Sequence, residues 1–296
     1  MSEERNLYAD IEMYKSKIPC PPLDIMLVGA TTVGKSSTIN AWAGYEVMKV
    51  GSGIDPETQG IWYTPPLFNG CFRFWDSQGL GDADAADDTT KTNILNYLTQ
   101  TKDINGKIYK PYVDVVLVLL DGKDECRDLG ENIQLLDLIF SCVDSRRVFF
   151  GINKADMVMK GKNGHWNDVT NLPDETLFKK LQETANIVYQ RICERPAVKN
   201  GCLPINKTWF YSAKKGYDVM SLLGYILQEM PQQPIYQYRQ QVENDGGYIH
   251  LSKSDWGKIA IGVLTGGLIA PKSSKNAYER WKEQQKANPN YAKKFC

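Results

Sequence analysis

Five short runs of aliphatic and aromatic residues, Ile25–Val28, Phe72–Trp75, Val113–Leu120, Val148–Ile152 and Thr208–Tyr211, recur along the chain with helical patterns between them. Runs that are apolar almost throughout, rather than alternating, are the mark of strands covered on both faces, so the pattern predicts an α/β fold with a mainly parallel sheet. Helices are expected after Gly34 and over about Thr89–Thr101, Asn132–Phe140, Asp174–Glu194 and Tyr217–Met230. In the last of these Val219, Leu222, Leu223, Ile226, Leu227 and Met230 form one stripe, the spacing of a helix lying on a sheet, and Pro231 and Pro234 end it. The pattern divides the chain into an N-terminal extension (1–19) with a weak helical stripe, one α/β unit (20–230) and an appended segment (231–296).

Composition changes this picture little. With 296 residues, 42% of them hydrophobic and 24% charged, the chain can bury a sizeable core. Lysine plus arginine balances aspartate plus glutamate at 35 each, so no global field draws it to nucleic acid or membrane. The zero hides an asymmetry: residues 271–296 carry a net charge of +5 and the remainder −5. The opening MSEERNLYAD lacks the apolar core of a secretory signal, and the seven cysteines show no metal-ligand spacing, so a cytoplasmic protein with reduced thiols is expected. Ile259–Ala270 is the longest apolar run and is too short to cross a bilayer.

The chemistry is concentrated at strand ends. Residues 24–28 run into Gly29-Ala30-Thr31-Thr32-Val33-Gly34-Lys35-Ser36, which fits GxxxxGK[ST], with Ser37 opening a helix-compatible segment. Gly29 and Gly34 let successive amides of Thr31, Thr32 and Val33 face a polyphosphate, and the helix N-terminus adds its dipole. Lys35 would neutralise the β- and γ-phosphates, and the Ser36 hydroxyl would coordinate Mg²⁺. The next strand ends in Asp76-Ser77-Gln78-Gly79, where Asp76 could hold Mg²⁺ through water and the Gly79 amide could approach a γ-phosphate. Thr58, in the polar loop Gly51–Gly60, is the candidate to close on the metal and the γ-phosphate, with Thr64 as its competitor.

A second constellation reads a base. In Asn153-Lys154-Ala155-Asp156 the Asp156 carboxylate can accept from both N1–H and the 2-amino group of guanine, which selects GTP over ATP. The Lys154 stem can lie over the purine while Asn153 braces the phosphate loop. Ser212-Ala213-Lys214 would supply a backbone amide to guanine O6.

GATTVGKS, Thr58, DSQG, NKAD and SAK stand in the order and approximate spacing of the five G-motifs, and over residues 20–230 the chain resembles Era-like, translation-factor-class P-loop GTPases. Within that class it resembles the bacterial Era-related proteins labelled ribosome-binding GTPases and, more distantly, the immunity-related GTPases. The resemblance implies a G domain with a mainly parallel six-stranded sheet and helices on both faces, followed here by a mainly helical C-terminal extension. It implies GTP hydrolysis with Mg²⁺, with Lys35, Thr58 and Gly79 serving the transferred phosphate and the protein acting as a nucleotide-dependent switch.

One position departs from the Ras-like pattern: Leu80 follows DSQG where a glutamine would orient water, so slow intrinsic turnover is expected. Gln78 and Gln59 are substitutes of equal merit with surface amides, and nucleotide-dependent homodimerisation or K⁺ are other routes to activation. The alternative function is a low-turnover nucleotide-binding scaffold, or an assembly GTPase peripheral to a membrane. The acidic group Asp82, Asp84, Asp87 and Asp88 reads as a solvated loop capping the next helix rather than as a second metal site, and His165 and His250 are isolated. For 259–270 burial is favoured over membrane insertion, and the basic tail with Tyr278, Trp281 and Tyr291 also suits anionic membrane or RNA contact.

Overall fold

The computed structural model describes residues 23–230 apart from 49–60, 65–66, 68–71, 78–83, 100, 105–106, 112, 124–125, 127–128, 131–132, 161–165 and 202. The extensions 1–19 and 231–296, with the helical character expected of the second, lie outside the described residues.

Six strands form the main sheet: β1 (Leu23–Val28), β2 (Ile61–Tyr63), β3 (Phe72–Ser77), β6 (Val115–Asp121), β7 (Val148–Asn153) and β10 (Thr208–Phe210). Their order is β10-β7-β6-β1-β3-β2, parallel throughout except for the edge strand β2. This is the P-loop G-domain architecture that the pattern and the resemblance led us to expect. The helices are α1 (Lys35–Ala43), α2 (Asp84–Thr99), α3 (Ile133–Cys142), α4 (Glu175–Cys193), α5 (Pro196–Gly201) and α6 (Val219–Glu229). Two hairpins stand outside the sheet: β4 (Thr101–Ile104) with β5 (Lys107–Pro111), and β8 (Trp166–Asn167) with β9 (Leu172–Pro173).

Successive side chains of the inner strands point to opposite faces, which divides the core in two. Met26, Val28, Val116, Val118, Leu120, Phe150 and Ile152 pack under α2, α3 and α4. Leu23, Ile25, Leu27, Leu117, Leu119 and Phe149 pack under α1 and α6. Both sets are buried, which is why these strands read as continuous apolar runs.

The helix expected from about Thr89 begins at Asp84. Asp84, Asp87 and Asp88, expected in a solvated loop before the helix, therefore fall within its opening turns instead. The same helix ends at Thr99, and Thr101 opens β4.

At the N-terminal end of the sheet a buried charge ties β1 to β3 and to the residue just before β6. Asp24 Oδ1 accepts from Arg73 Nε (2.5 Å) and Trp75 Nε1 (2.7 Å), and the Asp24 amide donates to Asp114 Oδ2 (2.8 Å). Arg73 also lies 5.4 Å from the ring centres of Tyr63 and Trp75. Removing one partner of a buried pair leaves the other charge uncompensated, so Asp24→Asn is expected to lower stability by about 3 kcal/mol in urea unfolding. A loss below about 1 kcal/mol would show that the pair is dispensable.

Candidate functional site

Every motif residue that the structure describes lies at or just beyond the C-terminal ends of the parallel strands, where open α/β sheets place their ligands. The loop after β1 is shaped by its glycines. A Cβ on Gly29 would stand 2.6 Å from the Leu119 carbonyl oxygen, and one on Gly34 (φ 99°) would stand 2.3 Å from Asn153 Nδ2. Neither position admits a side chain. Gly34 is the N-cap of α1 and brings no side-chain cap to its first turn.

Lys35 is 7% exposed and folds back over its own loop, with Nζ donating to Gly29 O and Ala30 O, each at 3.1 Å. Thr31 and Thr32 are the outward residues of this turn and Val33 its buried one. Ser36 Oγ donates to Asp76 Oδ2 at 2.5 Å, linking the loop to the tip of β3. Asp76 is 1% exposed, and its other oxygen, Oδ1, is buried with no hydrogen-bond partner. An anionic oxygen in that position suits a cation or a water bound to one. Among the described residues no group of three or more His, Cys, Asp or Glu could hold a metal ion unaided. One carboxylate and one hydroxyl are the sparse donor set that Mg²⁺ uses when waters and substrate phosphates complete its shell.

The second constellation meets the first through Asn153. Its Nδ2 donates to Val33 O (2.9 Å) and its Oδ1 accepts from Ala213 N (3.0 Å), so one buried amide ties the phosphate loop to the 212–214 loop. Lys154 takes the left-handed conformation (φ 63°) and its Nζ donates to Asp121 Oδ2 at 2.5 Å. Asp156 Oδ1 accepts from Ser212 Oγ at 2.6 Å, and Ser212 exchanges backbone hydrogen bonds with Tyr217. Lys214 is exposed. The structure thus brings together Gly29, Gly34, Lys35, Ser36, Asp76, Asn153, Lys154, Asp156, Ser212 and Ala213 along one edge.

Thr64, the competitor of Thr58, is buried beside β3 with Oγ1 accepting from Phe74 N (3.1 Å), so its hydroxyl oxygen is used in strand pairing. Thr58, Gly79, Leu80, Gln59, Gln78, Asp82, His165 and His250 lie outside the described residues.

Two residues that brace this edge were not read from the sequence. Asp121 ends β6, much as Asp76 stands one residue before the end of β3, and a carboxylate closing an apolar run was the available signal. Tyr211 is wholly buried, its hydroxyl 2.8 Å from Thr38 Oγ1, and burial holds its phenol well above the ordinary range. It locks α1 to the end of β10; nothing in the sequence marks it.

Burial pushes the Asp76 carboxyl above its ordinary 3.8, against the lowering effects of Ser36 and Lys35. A raised carboxyl gives the fold stability that is present while it is protonated and is lost as the pH rises through the raised value. Asp76→Asn is therefore expected to stabilise the nucleotide-free protein by about 1 kcal/mol near pH 7, a gap that closes towards about pH 4. Thermal unfolding of both proteins across that range checks this. A variant that melts lower throughout would mean the charge is fully compensated.

Comparison with known proteins places this edge in context. The model of the family described as 50S ribosome-binding GTPase matches residues 24–154. No curated protein matches the chain. Among solved structures, Aquifex aeolicus Era bound to GDP·AlF4⁻ is 17% identical with a TM-score of 0.44, covering 72% of this chain and 58% of that one. Era in complex with MgGDPNP and nucleotides 1506–1542 of 16S ribosomal RNA gives 17%, 0.47, 71% and 57%. A structure of the chloroplast translocon components atToc33 and psToc159, for which dimerisation is important for GTPase activity, gives 16%, 0.46, 71% and 76%. The chain spans less than two thirds of the length of either Era structure.

Proposed function

We propose that this chain, whose residues 24–154 match the model of the 50S ribosome-binding GTPase family, binds GTP with Mg²⁺, hydrolyses it slowly to GDP and phosphate, and acts as a nucleotide-dependent switch. The observation that carries this is the Asn153 bridge between Val33 and Ala213, which couples a phosphate-binding loop to a base-reading loop at one end of one sheet. Two such loops held by one side chain are suited to the two ends of a single nucleotide.

In this reading the amides of Gly29, Thr31, Thr32, Val33, Gly34 and Ser37 cradle the phosphates. Lys35 is already extended over the loop by two of its carbonyls, so little side-chain entropy is left to lose when its ammonium takes a β/γ-bridging charge. Ser36 and Asp76 hold Mg²⁺, and the unpartnered Asp76 Oδ1 is the observation that fits them to it. Mg²⁺, when bound, neutralises charge developing on the β- and γ-oxygens. Thr58 and the Gly79 amide would sense the γ-phosphate.

At the other end, Ser212 Oγ orients Asp156 so that its free lone pairs meet guanine N1–H and the 2-amino group. Asp121 holds the Lys154 ammonium and so draws its aliphatic stem into a fixed course across the base site, and the amide of Ala213 or Lys214 serves O6.

Hydrolysis needs a water in line with the γ-phosphorus. Leu80 offers it no hydrogen bond, so intrinsic turnover is slow and a second copy of the chain, a partner or K⁺ supplies the missing group. The +5 charge of 271–296 suits an anionic partner, whether lipid or RNA.

Phosphate release from GTP should fall by about 100-fold or more in Lys35→Ala. Wild-type release no faster than this control would instead favour a nucleotide-binding scaffold. Light scattering should give a higher mass with a non-hydrolysable GTP analogue than with GDP, and identical masses would remove dimerisation from the mechanism.

A further inference from the structure

Between Asp156 and α4 the chain makes a small excursion, the β8–β9 hairpin, whose two-residue strands pair Trp166 with Pro173 and Asn167 with Leu172. Its turn is fixed locally: Asn167 Oδ1 accepts from Val169 N (2.9 Å) and Thr170 N (3.0 Å). Immediately after it Asp174 caps α4 by accepting from Leu177 N (2.8 Å), so the hairpin is anchored to a helix of 19 residues. Such an excursion would be unremarkable on an empty surface. Here it touches the base-reading loop at three points.

Asn171 Nδ2 donates to Lys215 O at 2.9 Å. Lys215 Nζ returns to Asp168 Oδ1 at 2.7 Å, an exposed pair of little energetic weight. The Trp166 ring meets Tyr217 edge to face at 5.1 Å, and the Trp166 N–H is buried without an acceptor, so packing rather than hydrogen bonding holds this indole. Tyr217 in turn exchanges both backbone hydrogen bonds with Ser212.

From Asn171 a continuous relay reaches the carboxylate that faces the base. Asn171 fixes the Lys215 carbonyl, the Lys215 amide donates to Ser212 Oγ (3.1 Å), and Ser212 Oγ donates to Asp156 Oδ1 (2.6 Å). The Ser212 hydroxyl both accepts and donates, so its proton is directed at Asp156 by the bond it receives from Lys215. The 213–216 turn is otherwise held by the Ala213 amide on Asn153 Oδ1 (3.0 Å) and a Gly216 N to Ala213 O bond (3.3 Å), while Lys214 is exposed and Gly216 (φ 64°) has open space about it.

We propose that the β8–β9 hairpin is a positioning element for the base site, with Asn171 as the positioning residue that sets Asp156 through Lys215 and Ser212, and so sets how selectively guanine is held. This rests on the guanine-nucleotide reading above.

The decisive comparison is between guanosine and inosine diphosphates, which differ only in the 2-amino group. Both keep the same phosphates and N1–H, so their affinity ratio isolates the second bond to Asp156. Asn171 occupies a left-handed position (φ 54°), where glycine keeps the backbone and removes only the amide. Asn171→Gly should lower the guanosine-to-inosine ratio by about 3- to 10-fold, the factor for one hydrogen bond of ordinary net strength, and speed release of guanosine diphosphate by a like factor. Val169→Ser, at the 95% exposed tip of the same hairpin, should leave both unchanged.

Melting temperatures of the nucleotide-free proteins separate unfolding from repositioning: an Asn171→Gly protein that melts like wild type and loses selectivity supports the proposal. Wild-type protein that binds guanosine diphosphate, with Asn171→Gly matching it in ratio and release rate, overturns this inference alone. Wild-type protein that binds no guanine nucleotide overturns the underlying reading as well.

Discussion

The C-terminal edge of the sheet depends on one buried carboxamide, that of Asn153. It must donate to a carbonyl of one loop and accept from an amide of another, and only a group with both functions can do so. An aspartate could not donate to Val33 O, and an aliphatic residue would leave two buried backbone groups without partners. Its position follows from the register of β7 on β6, in which Asn153 stands opposite Asp121. That pairing places Lys154 within reach of the Asp121 carboxylate. Gly34 is bound to the same constraint, since the space a Cβ would need is occupied by the Asn153 amide.

The two ends of the sheet use buried carboxylates in opposite ways. At the N-terminal end Asp24 Oδ1 receives both a guanidinium and an indole N–H, and the result is a clasp between neighbouring strands. At the C-terminal end Asp76 receives one hydroxyl, and its second oxygen is left buried and unpartnered. A buried anion with an open oxygen destabilises the protein that carries it. Asp76 lies near the tip of β3, eight residues upstream of the start of α2, with Lys35 close enough to lower its pKa against the effect of burial.

How far this was legible from sequence depends on how local each signal is. The inner strands were readable because burial on both faces leaves an unbroken apolar run. Strand β2 was not, because it has three residues, two of them exposed, and takes its strand character from pairing with β3. The β4–β5 hairpin is polar and follows directly on a helix that the pattern carried to Thr101. In the site, Gly34, Lys35, Ser36 and Asn153 were legible because a fixed spacing encodes their chemistry. Asp121 and Asn171 were not, since each acquires its role from a partner 33 or 44 residues away. Nothing in the composition of the segment around Asn171 distinguishes it from an ordinary polar loop.

The zero net charge, which excludes a global field, says little about a domain built this way. The buried cation at the C-terminal edge is a lysine at 7% exposure, held by the carbonyls of its own loop. Both the open Asp76 oxygen and the glycines of the phosphate loop weaken the empty domain, and the Thr38–Tyr211 hydroxyl pair and the Trp42 bond to Val219 O secure α1 from beneath. What remains is a rigid frame around an under-satisfied edge. In such an arrangement any ligand that completes the edge adds its binding free energy to folding, so occupancy and stability rise together and the bound state is the better-determined one.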